Sequence, residues 1–125
     1  MRTPLSRAHG LGAAGEGAGH WWMQRITSVA LVPLALWFGL TLAQLPDFSH
    51  AAMLAWVREP LTTVLLVAFL VAACYHMALG LQVIAEDYIH SAPLKVATII
   101  LIQLGSFLFA LVGIAATAKI FFGVA

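Results

Sequence analysis

Residues 61–88 read LTTVLLVAFLVAACYHMALGLQVIAEDY, and the fold turns on this stretch. Residues 61–84 form a run of 24 without a formal charge. About 20 apolar residues cross the ~30 Å hydrocarbon layer as a helix, so the run predicts a membrane span. One histidine, His76, interrupts it, and Glu86, Asp87 and Tyr88 close it. An ionisable group at membrane depth is costly, and its default reading is a site with a partner. Eleven helical residues make about three turns, which puts His76 and Asp87 on one face about 16 Å apart along the axis.

Further apolar runs lie on either side, at residues 26–45 and about 96–118. The 125-residue chain is 62% hydrophobic and only 9% charged, with a mean hydropathy of +0.98. A soluble domain carries roughly a quarter charged residues, so this composition predicts an all-α membrane protein. The expected organisation is an N-terminal segment, 1–25, on the cytoplasmic or matrix side, followed by a three-helix anchor domain, 26–125. Its helices are placed at about 26–45, 61–85 and 96–118, running up, down and up through short connections. Pro33 falls inside the first span, where neighbouring groups can satisfy the freed carbonyl. Pro46, Pro60 and Pro93 fall at boundaries, where proline is tolerated.

Arg2, Arg7, Arg25 and Lys95 lie on the side shared by the N-terminus and the second loop, against Arg58 and Lys119 on the other. Positive charge favours the inner side, so the N-terminus is expected in the cytoplasm, or in the matrix of an organelle. No basic cluster supports binding to nucleic acid. The single cysteine, Cys74, excludes an internal disulfide. The first 25 residues lack the early apolar core and small-residue cleavage site of a secretory signal. Trp21 and Trp22 beside Arg25 look instead like an interfacial anchor. Gly10, Gly12 and Gly15 match G-x-G-x-x-G, but no strand precedes them, and a flexible tail is the better reading.

His76 has two readings. Imidazole is a good axial ligand to haem iron, and it is also a common hydrogen-bond partner between membrane helices. Ala72, Ala73 and Gly80 on the same face would admit either a flat macrocycle or a neighbouring helix, so the residues leave both open. No second histidine lies deep in a span: His9 and His20 precede the first, and His50 and His90 fall in the loops. A bis-histidine haem would therefore take its other ligand from a different chain. Tyr88 can donate a phenolic hydrogen bond to a carbonyl such as that of a quinone. In isolation it reads better as a member of the aromatic belt, with Asp87 solvated beside it. Arg25 suits a haem propionate through a bidentate pair, or simply sets topology. Cys74 is expected to pack, and Gln82, Gln103 and Ser106 to make interhelical contacts.

With these residues in place, the chain resembles the small hydrophobic anchor subunit of succinate dehydrogenase, complex II. The family pattern is a histidine in the second helix, a glycine four positions later, and an Asp-Tyr pair at eleven and twelve. Here His76, Gly80, Asp87 and Tyr88 match it. The basic and hydroxyl-rich start of the first helix is matched by Arg25, Thr27 and Ser28, and His20-Trp21-Trp22-Met23-Gln24-Arg25 looks like the alphaproteobacterial variant. The resemblance covers about residues 20–120. It implies three helices packed with a second cytochrome b anchor subunit around a shared haem b, with His76 as one axial ligand to the iron. Tyr88 and Asp87 would belong to a quinone site, and Arg25 and His20 would approach the haem propionates.

The soluble partners implied are an iron–sulfur subunit and a flavoprotein that oxidises succinate, so the anchor would have no activity alone. The implied location is the bacterial inner membrane, in contact with lipid, rather than the mitochondrial one. Two alternatives stand beside this reading: a cofactor-free structural anchor, and the anchor of a fumarate reductase running the chemistry in reverse.

Overall fold

The structure, a computed structural model, describes residues 13–123, with side chains from residue 19 onward. Four helices follow one another: α1 (Ala13–Ala43), α2 (His50–Arg58), α3 (Pro60–Tyr88) and α4 (Ala92–Phe121). Three stretches are long and apolar enough to cross a membrane: Gly19–Ala43, Pro60–Tyr88 and Ala92–Phe121. The all-helical, three-span architecture expected from the sequence is therefore present.

The helix ends differ from the expected ones. α1 begins at Ala13 rather than near residue 26. Hydropathy marks where a chain meets lipid, whereas the helix continues wherever backbone hydrogen bonds can form. The preceding Ala, Glu, Met, Gln and Arg residues are good helix formers. Gly15 of the glycine pattern falls inside this helix, while Gly10, Gly12, His9, Arg2 and Arg7 lie outside the described residues. Pro60 and Pro93 sit in the first turns of α3 and α4. The missing N–H costs nothing there, because it would have no intrahelical partner.

The first connection contains α2, which hydropathy did not single out. Ser49 caps it, its Oγ accepting from the Ala52 N–H at 3.2 Å. One step earlier, the Ser49 N–H donates to Asp47 Oδ1 at 2.9 Å. Hydrogen bonds from the Ser49 side chain and backbone hold the Asp47 carboxyl below its ordinary range.

Within the spans, hydroxyls close on their own helices. Thr27, Ser28, Thr41, Thr98 and Thr117 each donate to the carbonyl four residues earlier, at 2.7–2.8 Å. Such back-bonding satisfies a hydroxyl where no water is available.

α3 lies between its two long neighbours, and among the described residues no Cα of α1 comes within 8 Å of one in α4. Thr27, early in α1, meets His76, late in α3, whereas Phe38 meets Phe69 at the opposite ends. Gln82 of α3 meets Gln103 of α4, and Leu70 meets Gly113. Both pairs of helices are therefore antiparallel. At one membrane edge Trp56 of α2 packs on Trp37 and Phe38 of α1, ring centroids 6.2 and 5.9 Å apart. Arg58 Nε donates to the Ile120 carbonyl at 3.1 Å, tying α2 to the end of α4.

The interior is small. Among the described residues, Cys74, Leu79 and Ala85 are the buried apolar ones, joined by Thr27, Thr62 and Ser106. Cys74 packs as expected. Most large apolar side chains face outward, as they do where the surroundings are lipid or another chain.

Candidate functional site between α1 and α3

His76 stands seventeen positions into α3, about 24 Å from Pro60 and about 18 Å from Tyr88 at 1.5 Å per residue. It is therefore near mid-membrane depth, on the flank of α3 that meets α1. Its Nδ1 lies 2.9 Å from Thr27 Oγ1. The same hydroxyl is 2.7 Å from the Met23 carbonyl and 3.1 Å from that of Gln24. Thr27 is buried, while the His76 ring is half-buried. Among the described residues no hydrogen bond engages Nε2 of His76.

One turn further along α3, Gly80 opens the surface. A Cβ built there would meet nothing within 4 Å. Gly80, Leu79 and Val83 of α3 and His20, Trp21 and Gln24 of α1 line a cleft of about 440 Å³. A second hollow of about 350 Å³, bounded by Gly19, His20, Met23, Tyr75 and Leu79, continues around His20. The Gln24 amide carries a buried oxygen without a hydrogen-bond partner among the described residues. An amide offers both a donor and acceptors, so Gln24 is an unused polar group on the cleft wall.

The other sequence-predicted residues are placed differently. Asp87 and Tyr88 occupy the last turn of α3, exposed, and do not line the cleft. Glu86 accepts from Gln82 Nε2 at 3.4 Å, and Gln82 in turn accepts from Gln103 at 3.5 Å. The expected interhelical glutamine contact is thus present, and Ser106 is buried between α3 and α4. The Arg25 guanidinium sits 5.2 Å from the Trp21 ring centroid. This cation–π contact holds the cation against Trp21, which lines the cleft.

The structure therefore gathers His76, Gly80 and His20 on one side of the molecule and leaves Asp87 and Tyr88 at the end of the same helix. Thr27 and Gln24 are site residues to which sequence reasoning gave no role. For Thr27 the available signal was its place in the hydroxyl-rich start of the first span, beside Ser28.

The arrangement fits a haem edge. His76 does not itself line the cleft, but it stands one turn before Gly80, which does, and its Nε2 is unengaged among the described residues. His20 on the cleft wall and Arg25 against Trp21 carry nitrogen donors that could meet carboxylates. Among the described residues no group of three or more His, Cys, Asp or Glu gathers to hold a metal ion. A metal at His76 would thus need ligands from outside this set.

Comparison with known proteins covers nearly the whole chain. A family model described as succinate dehydrogenase/fumarate reductase transmembrane subunit matches residues 1–115. The succinate dehydrogenase hydrophobic membrane anchor subunit of Rickettsia bellii is 34% identical over 110 residues, 86% of each chain. That of Rickettsia conorii is 31% identical over 83% of each chain. The succinate dehydrogenase membrane anchor subunit of Reclinomonas americana is 26% identical over 70% of this chain and 76% of its own.

Proposed function

Because the chain belongs to the succinate dehydrogenase/fumarate reductase transmembrane subunit family, we propose that it anchors a succinate:quinone oxidoreductase and contributes one axial haem ligand and part of a quinone site. The observation that carries this reading is His76: a mid-membrane imidazole with Nδ1 tied to Thr27 and Gly80 open beside it. His76 would hold haem b jointly with a ligand from a second anchor subunit. When bound, the haem supplies one-electron redox chemistry inside the bilayer. His20 and Arg25 would orient its carboxylates.

Tyr88 would donate a hydrogen bond from its phenol to a quinone carbonyl, and Asp87 beside it would order the site's hydrogen bonds. Both stand at the membrane edge, which a quinone can reach from the lipid while an iron–sulfur subunit delivers electrons from the aqueous side. The flavoprotein partner performs succinate oxidation, so this chain links that reaction to the respiratory chain without catalysing it. The N-terminus, and the α3–α4 connection with it, faces the cytoplasm of a bacterial inner membrane.

The test is spectroscopic. Replacing His76 with Leu in the intact purified complex should remove or alter the reduced-minus-oxidised bands of the haem. An unchanged spectrum would exclude His76 as the ligand. The Thr27–His76 bond also favours a second reading, in which His76 only ties α1 to α3 and the chain carries no cofactor. A purified complex lacking any b-type spectrum would select it.

A further inference from the structure

We infer that Thr27 is a positioning residue that sets the tautomer of His76, leaving Nε2 as the nitrogen with a free lone pair. The inference rests on the ligand reading above and adds to it which ring nitrogen serves and what selects it.

The argument counts protons. The Thr27 hydroxyl has one hydrogen and three neighbours: the Met23 carbonyl at 2.7 Å, the Gln24 carbonyl at 3.1 Å and His76 Nδ1 at 2.9 Å. The two carbonyls can only accept, and Met23 is the nearest of the three. A hydroxyl that gives its hydrogen to a carbonyl retains two lone pairs and can only accept from the imidazole. Nδ1 must then carry the ring proton. In a neutral imidazole the other nitrogen is bare, and only a bare nitrogen binds iron. The opposite assignment would place the hydrogen on Nε2 and block it.

Thr27 is also buried and clamped to its own helix, so its oxygen has little freedom to move. It fixes the ring's rotation as well as its tautomer. Hydrogen-bond partners behind ligating histidines raise the basicity of the bound nitrogen. A more basic ligand favours oxidised over reduced iron, so Thr27 lowers the midpoint potential of whatever His76 binds.

The experiment compares wild-type complex with Thr27→Val, Thr27→Ser and His76→Leu, each purified intact. Valine matches threonine in shape and removes the acceptor. It should raise the haem midpoint potential, shift the EPR g values of the oxidised haem, and weaken haem retention by roughly 10–100-fold. Serine keeps the hydroxyl and should restore all three. A merely structural role would not move the potential and g values together with rescue by serine.

Wild-type potential and g values in Thr27→Val would overturn the inference while leaving His76 as ligand. A wild-type spectrum in His76→Leu would instead remove the ligand reading itself. If Thr27→Val fails to assemble, a density map of the wild-type complex decides. Nε2 on the iron with Nδ1 on Thr27 supports the inference, and Nδ1 on the iron overturns it.

Discussion

At the scale of single residues, exposure separates the two halves of the proposed chemistry. Tyr88 is 77% exposed at the last position of α3, and no hydrogen bond among the described residues engages its phenol. A phenol with no internal partner contributes little to folding, so Tyr88→Phe should leave assembly intact. Under the proposed quinone role it would remove one neutral hydrogen bond, worth about 0.5–1.5 kcal/mol. That corresponds to roughly a threefold to tenfold rise in KM for quinone. Succinate oxidation with a soluble dye acceptor should persist, and equal loss of both activities would instead indicate an assembly defect. The sequence pointed to Tyr88 and His76 because a polar group is conspicuous in or beside an apolar run. It did not assign Thr27, whose partner lies 49 residues away. That pairing depends on the register of α1 against α3, which hydropathy does not encode.

At the scale of elements, the central position of α3 makes its two seams unequal. The seam with α4 closes at Gly113, where an added Cβ would run into Cδ2 of Leu70. Small residues bring membrane helices close, and without a hydrophobic drive between them, packing of this kind carries the association. Alanine at 113 displaces only the end of a leucine side chain and should be tolerated. Leucine there overfills the seam, and overpacking typically costs about 1–3 kcal/mol. Gly113→Leu should therefore lower the thermal midpoint of the detergent-extracted complex well below that of Gly113→Ala. Identical midpoints for the wild type and the leucine variant would show that the seam does not bear load.

The spans themselves were legible, since 25 to 30 residues of high hydropathy leave few alternatives. Their ends were not, because proline first turns and good helix formers carry the backbone past the apolar run. α2 was missed for a related reason. Its signal is local, a Ser49 cap followed by Ala51, Ala52, Met53 and Leu54, and segments chosen by hydropathy alone pass over it.

At the scale of the molecule, one membrane edge is defined by contacts and the other by the site. Arg58 on the Ile120 carbonyl, with Trp56 on Trp37 and Phe38, gathers α2, the end of α4 and the end of α1 on one side. His20, Arg25, Asp87, Tyr88 and Lys95 lie toward the other, as the antiparallel helices require. Long exposed stripes, such as Val29, Val32, Leu36 and Leu40 along α1, leave the spans dependent on lipid and partner chains rather than on an interior of their own. The four-to-two excess of Lys and Arg that the sequence assigns to the Tyr88 side predicts that this edge faces the cytoplasm. Cys74 is buried, so the native chain should give little background with a membrane-impermeant maleimide. Ala51 is exposed on α2, and Ser91 is exposed in the α3–α4 connection. Ala51→Cys in the assembled complex should therefore be labelled from outside in intact cells, and Ser91→Cys only after the inner membrane is opened. The reverse pattern would invert the topology and move the quinone site away from the side on which electrons arrive.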